Sequence, residues 1–262
     1  MTIQGNEHLL TDIKEGVLYL TLSRPDSLNA FSPEMITGLK EALRNARHDE
    51  SIRTIVISGA GRAFSAGGDV KTMGKRPPLD VYDHIGELNE LILSIKDCSK
   101  PIIAAVHGFA AGAGFNLALA CDMILAAEDS QFMLSFSKVG LISDGGGHYF
   151  LPRIIGPYRT KELLFSAEPI SAEKAYSLGI VNHTYPLDKL QEKVHKFAVK
   201  TASGPLTAYG FMKKLVDQSL NTDLEAILEQ ERITQATVVS TDDHEEGVQA
   251  FKEKRDPNFR KN

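Results

Sequence analysis

The stretch "KPIIAAVHGFAAGAGFNLALACD", residues 100–122, joins an apolar segment to a glycine-rich turn and a second apolar segment. Residues 101–106 predict a buried strand, and Gly112, Ala113 and Gly114 are predicted to open a helix after it. Such a turn presents free backbone N–H groups at a helix N-terminus, where the helix dipole also favours negative charge.

The stretch "GRAFSAGGDVKTM", residues 61–73, repeats this arrangement one strand earlier. It follows a strand predicted at residues 53–58, and small residues at positions 65–68 lead into a helix predicted to begin near Asp69. Two turns of this type in one chain indicate an anion site.

Nucleotide-binding motifs also place glycines between a strand and a helix. A dinucleotide fingerprint is incomplete here, because Leu117 stands where the third glycine after Gly112 and Gly114 belongs. A P-loop is excluded because the chain has no G-K-[ST] sequence. For either turn alone, the glycines also fit close packing of a helix on a strand.

Strands and helices alternate on both sides of these turns. Residues 17–22 ("VLYLTL"), 123–127 ("MILAA") and 132–136 ("FMLSF") predict further strands, and Ser32 is the expected N-cap of the first helix. A helix predicted between the two turns has an apolar face formed by Val81, Ile85, Leu88 and Ile92. The core is therefore predicted to be α/β.

A run of helical segments follows these strands and reaches nearly to the C-terminus. Thr222 and Asp242 each open a predicted capping box, with a glutamate three residues later. We predict an α/β core over residues 1–200 and a helical region over residues 201–262.

Composition limits the class of protein. A formal net charge of -5 and a pI near 5.9 argue against a nucleic-acid-binding surface. Cys98 and Cys121 lie in or beside apolar segments and are predicted to be buried and reduced. No signal-peptide pattern and no apolar run near 20 residues is present. We therefore expect a cytoplasmic protein that does not bind membranes.

Several segments together resemble the enoyl-CoA hydratase/isomerase, or crotonase, superfamily. They are "NAF" (residues 29–31), "GAGRAFSAGGDV", "KPIIAAVHGFAAGAGFNLALACD", "SAEKAYSLGIV" and "EGVQAFKEKRDPNF". The resemblance implies a spiral of β-β-α units whose C-terminal helices serve in trimerisation, giving a homotrimer or a hexamer. It also implies an acyl-CoA thioester substrate, with coenzyme A as part of the substrate and no separate cofactor.

The resemblance also implies a set of site residues. Gly68 and Ala113 match the two backbone N–H groups that bind the thioester oxygen and stabilise an enolate. The implied CoA contacts are Ser27, Leu28, Ala66, Asp69 and Val70, with Phe251 against adenine and Lys254 paired with phosphate. From the residues alone, Phe251 fits equally well as a core aromatic and Lys254 as a solvated lysine.

Two positions distinguish this chain from typical hydratases of the superfamily, which hold a water between two glutamates. The matching residues here are Asn116 and Phe136. Neither side chain can take a proton from water. Phe136 is expected to line the substrate site, and Asn116 to orient the thioester or hydrogen-bond Asp144. A helix-facing amide with neither role is the alternative for Asn116.

Asp144 stands in "FSKVGLISDGGG", a segment that resembles branches in which one aspartate is the base, including phenylacetate-pathway and double-bond isomerases. Isomerisation of a 3-enoyl to a 2-enoyl thioester needs one carboxylate, which removes a C2 proton and returns it at C4. Flanking Leu141 and Ile142 are expected to desolvate Asp144 and raise its pKa. From the sequence alone, Asp144 also fits an N-cap.

Three other functions use the same site. They are an enoyl-CoA hydratase, a dehalogenase-like aryl-CoA enzyme with an aspartate nucleophile, and an acyl-CoA-binding protein without turnover. A metal site is not expected, because His107 and His148 have no paired ligands at a metal-binding spacing.

Overall fold

The structure is a computed structural model that describes residues 3–69, 71, 74 and 77–259. In this part of the chain the strands are β1 (Leu9–Lys14), β2 (Val17–Leu22), β3 (Thr54–Gly59), β4 (Ile102–Val106), β5 (Phe109–Ala111), β6 (Met123–Ala127), β7 (Gln131–Met133), β8 (Ile170–Ser171) and β9 (His183–Tyr185).

The helices of the same residues run between and after these strands. They are α1 (Pro33–His48), α2 (Pro78–Asp97), α3 (Ala113–Ala120), α4 (Gly147–Ser166), α5 (Ala172–Ser177), α6 (Leu187–Ala202), α7 (Leu206–Ser219), α8 (Leu224–Val238) and α9 (Asp242–Glu253), with short 3₁₀ helices at Pro25–Ser27 and Ser135–Val139.

The larger sheet has the strand order β1-β2-β3-β4-β6-β9. β1 pairs with β2 in antiparallel fashion, and every later pair in this sheet is parallel. Parallel neighbours need a crossover, which α1 and α2 supply between β2, β3 and β4. A smaller sheet, β5-β7-β8, lies beside it. This is the predicted α/β architecture.

The core lies on both faces of the larger sheet, because strand side chains alternate between faces. Leu18 and Ile55 belong to the main cluster, which also contains the buried faces of α1, α2 and α3. Their neighbours Val17 and Val56 belong to a second cluster on the other face. Helix α6 packs there and contributes Leu190 and other buried residues.

Three local predictions were wrong. The strand predicted at residues 132–136 ends at Met133, and a 3₁₀ helix follows. None of residues 69, 71 and 74 is helical, and α2 begins only at Pro78. The late helical run is interrupted by β8 and β9, because short strands joining an existing sheet carry little sequence signal.

The two predicted capping boxes are each displaced by one residue. Asp223, not Thr222, caps α8 by accepting a hydrogen bond from Ala226 N. Thr241, not Asp242, caps α9 by accepting one from His244 N. Adjacent residues of capping type make the choice ambiguous in sequence, and backbone geometry decides it.

Helices α7, α8 and α9 follow α6 at the end of the chain. Lys213 of α7 reaches into the core, where its Nζ lies 3.0 Å from Asp122 Oδ2 and 3.0 Å from the carbonyl oxygen of Ile95. Both cysteines are free and buried, as predicted. Among the described helices, none has the length and apolar character needed to cross a membrane.

Candidate active site

The two glycine-rich turns, which follow β3 and β4, pack directly against each other. The N–H of Ala111 donates a 2.8 Å hydrogen bond to the carbonyl oxygen of Ser65. A Cβ on Gly67 would lie 2.5 Å from Ala111 O and 2.7 Å from Ala113 N, and Gly67 has a φ of +80°. Glycine is therefore required where the first turn meets the start of α3.

The backbone N–H groups of Gly68 and Ala113 are the two donors expected to bind a thioester oxygen. Ala113 is the first residue of α3, where a helix leaves its N–H groups without intrahelical acceptors. Among the described residues, none accepts a hydrogen bond from Gly68 N or Ala113 N. Because Gly67 touches Ala113, the structure brings these two donors to one place.

Asn29 fixes the segment that precedes the first turn. Its side chain is fully buried, and its Nδ2 donates 2.8 Å hydrogen bonds to the carbonyl oxygens of Ala60 and Ala63. Its Oδ1 accepts from Arg24 N at 2.9 Å. Sequence reasoning identified Asn29 only as part of a motif. Its organising role rests on partners more than 30 residues away, which the local sequence does not show.

Three of the predicted CoA contacts, Ser27, Leu28 and Ala66, lie close together. Ser27 ends the first 3₁₀ helix, and Leu28 follows with a φ of 51°. The carbonyl oxygen of Leu28 accepts a 2.8 Å hydrogen bond from Ala66 N. The segment before α1 is thus joined to the turn that carries Gly68.

The Asp69 side chain is engaged within the protein. Its Oδ2 lies 3.1 Å from Nη2 of Arg24, and its Oδ1 accepts a 3.1 Å hydrogen bond from Lys71 N. Arg24 also donates to the carbonyl oxygen of Ala30 at 2.7 Å. The charge of Arg24 is therefore shared with Asp69. Val70 lies outside the described residues.

Phe251 and Lys254 lie at the end of α9. Phe251 is 86% exposed and borders a groove with Val248 and Phe259. Lys254 is the C-cap of α9, with a φ of 54°. No hydrogen bond, ion pair or ring contact among the described residues joins either one to Ser27. Their CoA contacts stay a prediction.

Asp144 lies in the segment between the second 3₁₀ helix and α4. Its carboxyl group is largely buried, and its Oδ1 has no hydrogen-bond partner among the described residues. Burial raises the pKa of Asp144 from 3.8 to about 6, because a low-dielectric environment disfavours the carboxylate. The N-cap of α4 is Gly146, with no side-chain hydrogen bond. The N-cap interpretation of Asp144 is therefore wrong.

The Asn116 side chain fixes the backbone of the segment that contains Asp144. Its Nδ2 donates to Ser143 Oγ at 2.9 Å and to the carbonyl oxygen of Asp144 at 2.6 Å. A Cβ on Gly147 would lie 2.7 Å from Asn116 Oδ1, so the chain passes close around the amide. Sequence reasoning foresaw a bond from Asn116 to Asp144 but missed Ser143, which is buried and had no motif to mark it.

The burial of Asp144 has a different origin from the predicted one. Leu141 and Ile142 are 52% and 81% exposed, so they do not desolvate the carboxyl group in this chain. Instead α2 covers the segment, since Leu88 Cδ2 lies 3.6 Å from the Cβ position of Gly145. The ring of Phe136, predicted to line the substrate site, lies beside the start of α3. Its Cζ is 3.7 Å from the Cβ position of Gly112.

The histidines considered from sequence do not form a metal site. His107 Nε2 lies 2.9 Å from the carbonyl oxygen of Gly61. No group of three or more histidine, cysteine, aspartate or glutamate side chains in the described ranges is arranged to hold a metal ion.

This arrangement, a spiral α/β core with two glycine-rich turns beside a buried carboxyl group, is the crotonase architecture. The family model for enoyl-CoA hydratase/isomerase matches residues 12–262. The chain belongs to the enoyl-CoA hydratase/isomerase family.

Relatives with different names resemble the chain along nearly its whole length. It is 36% identical over 258 residues to 1,2-epoxyphenylacetyl-CoA isomerase of Escherichia coli, covering 97% of this chain and 98% of that protein. It is 39% identical over 249 residues to a Rhodobacter capsulatus protein named "Probable enoyl-CoA hydratase", covering 95% and 96%. The crystal structure of an enoyl-CoA hydratase from Bacillus anthracis superposes with a TM-score of 0.93 at 32% identity, covering 97% of this chain and 100% of that one.

Proposed function

We propose that this protein isomerises 3-enoyl-CoA to 2-enoyl-CoA thioesters, with Asp144 as the single acid/base. One observation carries this proposal: a largely buried carboxyl group with a pKa near 6 lies in the segment that Asn116 of α3 holds by a 2.6 Å hydrogen bond, and α3 begins at Ala113, one of the two expected oxyanion donors. A base with a pKa near the working pH is well suited to receive and return a proton.

The proposed reaction begins with the thioester oxygen bound by the N–H groups of Gly68 and Ala113. Asp144 removes a proton from C2, and the negative charge that develops on the oxygen is stabilised by these donors and by the dipole of α3. Asp144 then returns the proton at C4, which leaves the double bond between C2 and C3. Loss of one such donor typically lowers kcat about 10²- to 10³-fold.

Asn116 acts in this proposal as a positioning residue. It holds the Asp144 backbone through a 2.6 Å hydrogen bond and does not itself exchange a proton. The CoA moiety would contact the segment before α1 at Ser27 and Leu28. It would contact the first glycine-rich turn at Ala66, Asp69 and Val70. Phe251 and Lys254 would bind adenine and phosphate.

Hydration of 2-enoyl-CoA is the second candidate, because one of the similar proteins is named as a hydratase. Against it, Asn116 and Phe136 occupy the positions expected for the two acids. The E. coli relative is named for an aryl-CoA substrate, which favours including aromatic acyl groups among the substrates tested.

The test is an assay of the purified protein with 3-enoyl-CoA and 2-enoyl-CoA in deuterated buffer, with products identified by mass spectrometry. We expect the 3-enoyl thioester to become the 2-enoyl thioester with little hydroxyacyl product. Predominant hydroxyacyl-CoA would establish hydration instead. Binding of acyl-CoA with neither product nor label would leave the binding protein as the better description.

A further inference from the structure

A large cavity that is open to solvent lies between α2, α4, α7 and α8. Its volume is about 1490 Å³, more than the ~300–1,000 Å³ of a typical small-molecule pocket. Gly146, only two residues after Asp144, lies in its wall, together with Phe150 of α4 and Ile92 of α2. The cavity therefore begins next to the candidate base.

Residues that contact the Asp144 segment and residues that line the cavity are one turn apart at two places. On α2, Leu88 contacts the Gly145 position, and Ile92, one turn further along, lines the cavity. On α4, Gly146 and Phe150 are also four residues apart, so they lie on the same face. One helical turn rises about 5.4 Å, so the Asp144 segment and the cavity wall are near neighbours on these helices.

The ring of Phe150 lies between the Gly146 backbone and the cavity, whose wall it helps to form. A Cβ on Gly146 would lie 2.5 Å from Phe150 Cε2, so the ring packs directly on the glycine. Tyr149 stands edge-on to the ring at 5.4 Å between centroids, and Lys96 Nζ lies 5.9 Å from its centroid, within the range of a cation–π contact. Phe150 is therefore held in place from two sides.

The cavity wall carries both charged and apolar side chains. Lys96 pairs with Asp217 at 3.0 Å, and Lys213 pairs with Asp122 at 3.0 Å. Further charged groups in the wall are Arg47, Asp97, Lys100 and Lys214. The surface available to a hydrocarbon is therefore limited to the apolar side chains, such as Phe211 and Ile227.

We propose that Phe150 sets the acyl-chain length that this protein accepts, by closing the passage from the Asp144 site to the cavity between α2, α4, α7 and α8. This inference rests on the proposed acyl-CoA substrate. Acyl groups that end before Phe150 bind fully in the wild-type protein, and longer chains gain further contacts only when the ring is removed.

The test measures binding of saturated acyl-CoA thioesters from butyryl to dodecanoyl by calorimetry, which needs no turnover. Wild-type affinity should stop rising at a fixed chain length. In Phe150→Ala it should continue to rise, by about fourfold for each added methylene that becomes buried. Phe165→Ala, a loss of an exposed phenyl ring from the part of α4 that follows its kink at Gly156, is the matched control and should keep the wild-type profile.

A second variant protects the test against a folding defect. Ile227→Trp in the Phe150→Ala background narrows the cavity and should remove the gain for dodecanoyl-CoA without changing butyryl-CoA binding. If Phe150→Ala is folded, binds butyryl-CoA and keeps the wild-type length profile, the proposed role of Phe150 is wrong. If the wild-type protein binds none of these thioesters, the proposed acyl-CoA function itself fails.

Discussion

The burial of the Asp144 side chain has opposite consequences for stability and for catalysis. An unpaired buried carboxylate costs folding free energy, yet the same burial gives a base that is half-ionised near pH 6. Isomerase activity should therefore rise with pH through about 6, as Asp144 loses its proton. A cost in stability at a functional site is expected when the group is needed for chemistry.

Replacement of Asp144 by asparagine should stabilise the fold in a pH-dependent manner. The folded-state pKa of about 6 lies above the ordinary 3.8, so the contribution of Asp144 to stability is present below pH 4 and is lost as pH rises through 6. Asparagine does not ionise. The free energy of unfolding of Asp144→Asn relative to wild type should thus increase between pH 4 and pH 7.5, by up to about 3 kcal/mol.

Urea unfolding of both proteins at several pH values measures this difference. A constant offset between the two proteins across that range would show that Asp144 does not titrate abnormally. A difference that shrinks with rising pH would reverse the sign of the effect and contradict the buried, unpaired carboxylate.

The sequence predicted which carboxyl group matters but not how it is held. Asp144 is recognisable because it stands alone among apolar residues and glycines. The roles of Ser143 and Asn29 depend on hydrogen bonds to residues 27 to 34 positions away, and no local pattern encodes such partners. The prediction that Leu141 and Ile142 bury Asp144 was wrong for the same reason, since burial is a property of the assembled fold.

The start of α3 and the first turn act as one element, because Gly67 contacts the helix backbone. Gly68→Pro removes the N–H of the first turn and should lower kcat for isomerisation about 10²- to 10³-fold. Gly68→Ala keeps the N–H and serves as the matched control. Thermal unfolding of both variants establishes that they are folded before their rates are compared.

Retention of wild-type kcat by a folded Gly68→Pro protein would exclude its N–H as an oxyanion donor. Equal losses in the alanine and proline variants would instead assign the effect to the shape of the turn.

Long elements with clear periodicity were predicted well, and short ones were not. The first helix, capped by Ser32, begins as expected, and α3 opens at Ala113. By contrast, β8 and β9 have two and three residues and form only because a sheet edge is available. In α2, Val81 was expected on the buried face but is 44% exposed, because the core contacts begin near Leu88.

The whole chain leaves a large apolar surface on its last helices. Leu224, Leu228 and Ile233 of α8 are each more than half exposed, and Phe251 of α9 is 86% exposed. Several large apolar side chains exposed on the same helices commonly mark an interface. The association into trimers or hexamers that the family resemblance implies therefore remains our prediction for this protein.

Light scattering of the purified protein measures its mass in solution. We expect three or six chains per particle, and Leu228→Glu should shift the population towards single chains, because a charge in an apolar interface is not solvated. A monomeric wild-type protein would contradict this prediction and leave the exposed surface of α8 unexplained.

The order of the strands β2, β3, β4 and β6 and of the helices between them was predictable because alternation of apolar segments follows from the sheet geometry, whereas β1, β5, β8 and β9 were not predicted. The meeting of the two turns was not, since the hydrogen bond from Ala111 N to the carbonyl oxygen of Ser65 joins residues that are far apart in the sequence. Family resemblance supplied that information where spacing alone left the role of the glycines open.

The most direct test of Asp144 as the single acid/base compares wild type, Asp144→Asn and Asp83→Asn with a 3-enoyl-CoA substrate in deuterated buffer. Asp83 is an exposed carboxylate of α2 and serves as the control. We predict that Asp83→Asn matches wild type in product and label, and that folded Asp144→Asn loses isomerisation by about 10²- to 10⁴-fold. Isomerisation and deuterium incorporation at wild-type rates in Asp144→Asn would contradict the account.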